Sequence, residues 1–309
     1  MTMTSTLRVM IGKVRLKNPV MVASGTFGIG QEYADLVRLD RLGGLVTKTI
    51  TLRARSGNPP PRLAETPSGM LNSIGLENKG LADFLEDKIP VLRKLTIPVF
   101  VSIAGSSADE FAELAGRLEK TGCVAGVELN LSCPNLGHTT GMIAQDPGST
   151  HAVVAAVRKR CRSAVIAKLS PKVADIGLVA RSAEKAGADA ICLINTFPGI
   201  AVDSARQTAK LGNIVGGLSG PALKPIALAC VREAFDAVKI PLIGVGGVMT
   251  AEDAVEYILC GARAVQIGTG LFVDPRCPLE VLGGLEKYLL AHKIRSVMDL
   301  VGRLKGSVS

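Results

Sequence analysis

Short, almost wholly apolar runs recur along the chain, and between them apolar residues return every three or four positions. The runs at 19–23, 44–47, 99–103, 126–130, 165–169, 190–194, 242–245 and 264–267 read as eight buried strands. Helical periodicity fills 33–39, 81–95, 108–121, 148–162, 173–186, 222–238 and 251–259. Fully apolar strands alternating with helices imply a parallel sheet, and eight of them close into a (β/α)8 TIM barrel of the α/β class. Ahead of the barrel, residues 1–18 read as a hairpin that plugs its bottom. Its arms are Leu7-Arg8-Val9 and Val14-Arg15-Leu16, with the turn at Gly12. Asp146-Pro147 and Ser219-Gly220-Pro221 supply helix caps and first-turn prolines. No linker or shift of composition divides the chain, so 1–309 is expected to be a single domain.

Two connections exceed ordinary loop length, at 49–79 and 197–218. Long rim insertions in a compact domain are functional or disordered, and the apolar residues inside these favour order. The first carries the stiff segment Gly57-Asn58-Pro59-Pro60-Pro61-Arg62 and the amide-rich Asn72-Ser73-Ile74-Gly75-Leu76-Glu77-Asn78.

Composition narrows the class. Hydrophobic residues make up 47% and aromatic residues 3%, which suits an aliphatic core around a parallel sheet. The seven cysteines form no C-x-x-C pair, so a reducing, cytoplasmic compartment is expected. The three histidines show no metal-ligand spacing, and no metal is expected. No apolar run reaches about 18 residues and no signal peptide precedes the hairpin, so no membrane is expected. A net charge of +9 is compatible with nucleic acid, but Lys and Arg are dispersed, so nucleic acid is not the expected partner and an anionic small molecule is.

The residues at or just past the strand ends are Ser24, Lys48, Ser102, Asn130, Lys168, Asn195, Gly246 and Gly268. Barrel active sites are assembled from this rim. Gly246-Gly247 and Gly268-Thr269-Gly270 follow strands seven and eight, where backbone N–H groups of this fold receive phosphate. Past strand four, Asn130-Leu131-Ser132-Cys133-Pro134-Asn135 brings a thiol between amides at the mouth of the barrel. A phosphate-bearing cofactor, two lysines, several asparagines and one cysteine suggest redox chemistry on a small planar polar substrate.

These motifs resemble those of class 1 dihydroorotate dehydrogenases over essentially the whole chain. The resemblance is carried by Ala23-Ser24-Gly25-Thr26-Phe27-Gly28, Val46-Thr47-Lys48-Thr49, Asn72-Ser73-Ile74-Gly75-Leu76, the Asn130–Asn135 stretch, Lys168-Leu169-Ser170-Pro171 and Ile194-Asn195-Thr196. Gly57–Arg62 and Gly217-Leu218-Ser219-Gly220-Pro221 are similar to the NAD-linked subclass, 1B. Ser102 departs from the family, which often has Asn there.

The resemblance implies one FMN per chain. Ser24, Lys48, Thr49, Ser102, Asn130, Lys168, Ile194 and Gly220 would surround it, and Gly246, Gly247, Gly268 and Thr269 would hold its phosphate. It implies that Lys48, Asn72, Ser73, Ile74, Gly75, Leu76, Asn130, Asn195 and Thr196 hold dihydroorotate and orotate. Cys133 would be the base, under a lid at 134–145. FAD and a [2Fe-2S] cluster would sit on a separate electron-transfer subunit that reduces NAD, around a homodimeric core within a heterotetramer. The chain itself has neither a G-x-G-x-x-G fingerprint opening a βαβ unit nor a cysteine cluster for iron–sulfur. The alternatives are a fumarate-using 1A enzyme and a tRNA-dihydrouridine synthase-like flavoenzyme.

Overall fold

The computed structural model describes residues 5–132 and 143–306. Its strands, in chain order, are β1 (Val9–Ile11), β2 (Val14–Leu16), β3 (Val20–Val22), β4 (Gly44–Val46), β5 (Leu63–Thr66), β6 (Gly69–Asn72), β7 (Val99–Ile103), β8 (Gly126–Asn130), β9 (Ala164–Leu169), β10 (Ala190–Leu193), β11 (Phe197–Gly199), β12 (Val202–Asp203), β13 (Thr208–Ala209), β14 (Gly216–Ser219), β15 (Leu242–Val245) and β16 (Ala262–Ile267). The helices are α1 (Gly80–Asp83), α2 (Ile89–Leu92), α3 (Ala108–Glu119), α4 (Pro147–Arg158), α5 (Ile176–Lys185), α6 (Lys224–Ala237), α7 (Ala251–Cys260), α8 (Gly270–Val273) and α9 (Cys277–Ala291).

Strands β3, β4, β7, β8, β9, β10, β15 and β16 close a parallel barrel in that order. The eight apolar runs of the sequence are these strands, shifted by no more than two residues at an end. Each is apolar because both of its faces are covered, one by helices and one by the barrel interior. All five residues of β7 and all six of β9 are buried. Ser107, Asp146, Asp175 and Thr250 cap α3, α4, α5 and α7, each accepting a backbone N–H from the first turn.

The hairpin lies at the bottom, where a methyl on Gly12 would stand 2.7 Å from Asp189 Cβ, just ahead of β10. Its first arm is Val9–Ile11 rather than the expected 7–9, because Ile11 and Leu16 are the residues driven into the core. The expected helix at 33–39 is not formed. Tyr33 leaves the helical path to stack on Phe27, with ring centroids 4.4 Å apart, and its hydroxyl donates to Thr26 O. Only the 3-10 turns Gln31–Tyr33 and Leu39–Arg41 remain. The stretch at 81–95 is helical, but α1 and α2 flank a wider π turn, Phe84–Lys88. Helix α9, which follows the eighth strand, was not among the expected elements. Ser219 is not a helix cap: its hydroxyl accepts from Thr269 Oγ1, 2.8 Å away, and Gly220 caps the following turn with no side chain.

The two rim insertions are ordered, and ordered together. The first forms the β5–β6 hairpin, and the second supplies β11 and β14, giving one antiparallel sheet in the order β11-β14-β6-β5. Across the seam Asn72 faces Gly217, Leu71 faces Leu218 and Met70 faces Ser219. No helix among the described residues is long and apolar enough to cross a membrane.

Candidate active site

At the carboxyl end of the barrel, the loops after β15 and β16 meet the second insertion. Gly246 and Gly247 have φ of +135° and +69°, and Gly220 has φ of +96°. Side chains are disfavoured in this conformation, so backbone is brought to the surface of the pocket bare. A methyl on Gly247 would stand 2.8 Å from Gly220 O, and one on Gly220 would stand 3.6 Å from Thr269 Cγ2. Gly220, Gly247, Ser219 and Thr269 therefore form one cluster, made of bare backbone and two linked hydroxyls. Such a cradle suits a phosphate group. A methyl on Gly268 would lie 3.6 Å from Ala23 Cβ, which places Gly268 against the loop that follows β3.

Next to it, starting from the loop after β3, three hydroxyls run in a chain. Thr49 Oγ1 lies 3.2 Å from Ser24 Oγ and 2.8 Å from Ser102 Oγ. Ser102 sits inside β7, not past its end, and is 1% exposed. Thr47 Oγ1 accepts from its backbone N–H at 3.3 Å. Lys48 is half-buried and makes no ion pair among the described residues. Ile194 is buried beneath the rim.

A third group is an arc of amides. Asn195 Nδ2 donates to Asn130 Oδ1 at 3.1 Å, and Asn195 Oδ1 accepts from Thr196 N at 2.8 Å. Thr196 packs on Gly217, and Asn72 Nδ2 donates to Gly217 O at 3.3 Å. Asn72, Asn130, Asn195 and Thr196 are thus contiguous, although they come from three separate segments. Ser73 Oγ accepts from Asn58 Nδ2 at 2.9 Å. Ile74 and Gly75 rest on the 57–62 strip, where Asn58 N donates to Ile74 O, and Leu76 turns away with φ of +57°.

Lys168, read at the end of the 165–169 run, is the penultimate residue of β9 and 7% exposed. It stands beside Asn130 in the β8–β9 register. Its Nζ is 3.3 Å from Glu128 Oε1, inside the barrel. Gln266 Nε2 donates to Glu128 Oε2 at 2.7 Å. Burial pushes the Lys168 pKa down, but the Glu128 carboxylate pushes it up by more, so it lies above the ordinary lysine value. Burial first, and then Glu128, carry the Cys192 thiol well above its ordinary value, so it stays a neutral thiol. Glu128, Gln266 and Cys192 were not singled out from the sequence. The legible signal was a carboxylate in the middle of an apolar run, Val127-Glu128-Leu129.

Cys133, Pro134, Asn135 and most of the expected lid at 134–145 lie outside the described residues. The described chain leads to them through Leu131 and Ser132, directly after β8 at the rim. Among the described residues no group of His, Cys, Asp and Glu could hold a metal ion.

A family model described as dihydroorotate dehydrogenase matches residues 6–289. A chain named dihydroorotate dehydrogenase B (NAD(+)), catalytic subunit, from Citrifermentans bemidjiense is 46% identical over 299 residues, 97% of this chain and 98% of its own. Its namesake from Desulforudis audaxviator is 49% identical over 294 residues, 95% of this chain and 96% of its own. Among solved structures, DHODH from Eimeria tenella in complex with ferulenol has a TM-score of 0.82 at 22% identity, over 96% of this chain and 88% of that one. That likeness concerns the fold alone.

Proposed function

The chain belongs to the dihydroorotate dehydrogenase family, and from that premise we propose that it oxidises (S)-dihydroorotate to orotate in pyrimidine biosynthesis, with FMN as its cofactor and NAD as the final acceptor reached through a separate subunit. The observation that carries this reading is the convergence on one rim of three things: a bare-backbone anion cradle, an arc of amides and a buried lysine.

The cradle of Gly220, Gly246, Gly247, Gly268 and Thr269 would hold the FMN phosphate. Ser24, Lys48, Thr49, Ser102, Asn130, Lys168 and Ile194 would line the rest of the cofactor. Ser102 would reach it through Thr49, since its hydroxyl is already engaged there at 2.8 Å. Asn72, Asn130, Asn195 and Thr196 would hold the pyrimidine by its amide edges, with Lys48 and residues Ser73–Leu76 closing over it. FMN, when bound, would supply the acceptor for the hydride leaving C6 of dihydroorotate. Cys133 takes the C5 proton, and Lys168 holds positive charge where electron density accumulates. FAD and a [2Fe-2S] cluster on the partner would complete the path to NAD.

Anaerobic mixing of the purified chain with dihydroorotate tests the reading. Flavin absorbance should bleach with formation of one orotate per flavin. A colourless protein, or a flavin that dihydroorotate leaves oxidised, would overturn it. Rapid reoxidation by fumarate alone would move the protein to the 1A type.

A further inference from the structure

Strands β8 and β16 stand four positions apart in an eight-stranded closed barrel, directly opposite one another. The 2.7 Å bond from Gln266 Nε2 to Glu128 Oε2 therefore crosses the interior. Glu128 and Gln266 are both fully buried. From the neighbouring strand β9, Lys168 reaches the remaining Glu128 oxygen at 3.3 Å. Cys192 on β10 stands beside Lys168 in register. A carboxylate at this depth is costly unless it is paired and hydrogen-bonded. Its partners account for both oxygens: one holds the ammonium and the other is tied to the far wall. Glu128 lies one inward-facing position below Asn130, beneath the rim and away from the amide arc. It does not line the pocket; it supports a residue that does.

We propose that Glu128 is a positioning residue, which from within the barrel anchors the Lys168 ammonium and keeps it a cation at the floor of the flavin pocket, with Gln266 fixing the carboxylate. This rests on the FMN reading above. The titratable groups facing Lys168 are Glu128 from β8 and Cys192 from β10. The flanking helices lie outside the barrel, and Gln266 carries no charge. With Cys192 neutral, Glu128 is the counter-charge. Without it, burial acts on Lys168 unopposed and favours the neutral amine.

The test is the midpoint potential of the bound flavin against pH. It is measured by anaerobic dye equilibration on holoenzyme from pH 6 to 9, for wild type, E128Q, K168M and the double variant. In wild type the lysine should add no bend to the profile. In E128Q a new bend should appear, above which the potential falls to the K168M line; a profile lying on the K168M line throughout has the same meaning. E128D should move the bend back toward higher pH. An E128Q profile that follows or exceeds wild type at every pH, without a bend, overturns the proposal. Should E128Q fail to fold, the double variant decides. If Glu128 acts through Lys168, removing the carboxylate from K168M leaves the potential where K168M set it. A further shift as large as that between wild type and K168M overturns the proposal. A colourless wild-type protein overturns both this inference and the FMN reading, whereas an unaltered E128Q profile in a yellow, bleachable enzyme overturns this inference alone.

Discussion

Burial lifts the Cys161 thiol to about 12 and those of Cys230 and Cys277 to about 11, and it raises Cys192 and Cys260 as well. These five are protonated at neutral pH and cannot serve as bases. A cysteine that serves as the base must form its thiolate more readily than these. Iodoacetamide at pH 8 should therefore modify Cys133 ahead of all five, with activity lost in step, as peptide mass spectrometry would reveal. Cys133→Ala should keep its flavin and lose flavin reduction by a factor of about 10² to 10⁴. Near-normal bleaching would remove Cys133 from the mechanism. On the role proposed for Cys133, turnover should rise with pH as its thiolate forms. At the cradle, Gly268→Val should fold and bind little FMN, since a Cβ there meets its nearest neighbour at an ordinary 3.6 Å. Gly246→Val would strain the fold as well as the pocket, because φ is +135° and a Cβ would stand 3.1 Å from Ala227 Cβ. Absorbance per chain separates the two, and stoichiometric FMN in Gly268→Val would place the phosphate elsewhere. Rim residues such as Asn130 and Asn195 could be read from where apolar runs stop. The pairing of Glu128 with Gln266 could not, because the two stand across the barrel and no periodicity links strand four to strand eight.

Among the elements, α7 has the best-secured start. Thr250 and Asp253 form a capping box, and Asp253 also accepts from Met249 N and binds Lys224 Nζ at 2.5 Å. Asp253→Ala removes a cap and the partner of a half-buried lysine, so it should cost about 2–4 kcal/mol in denaturant unfolding. A loss below about 0.5 kcal/mol would show that Lys224 is served by Glu256 alone. Burial raises the Asp253 pKa, but Lys224 and the backbone N–H groups lower it by more, and the net shift is downward. A depressed carboxylate stabilises the fold above its unfolded value, near 3.9, and loses that contribution as pH falls through the folded value. Asp253→Asn should accordingly flatten the acid limb of the stability curve and leave its slope near neutrality unchanged. The cap of α4 was read from Asp146-Pro147, since a local side chain makes it, whereas Thr250 at the start of α7 was not singled out. The stretch at 33–39 was misread because its apolar spacing answers to Phe27, a tertiary neighbour, and not to its own helix.

On the reading proposed above, the chain carries one FMN and passes its electrons to a separate subunit. The isolated chain should bleach its flavin with dihydroorotate yet reduce NAD negligibly, and adding the electron-transfer subunit should restore NADH formation, followed at 340 nm. Efficient NAD reduction by the chain alone would sink this expectation. The barrel was legible at this scale because eight buried parallel strands leave eight apolar runs. The roof was not, because its strands are short, partly exposed and paired across 145 residues of sequence, as the Asn72–Gly217 contact shows. That pairing bears on descent. A recombination that carries one insertion into a relative without the other leaves half a sheet with its edge open. The two insertions are therefore expected to be inherited as one cassette, and a chimaera that exchanges both should fold where either single exchange does not.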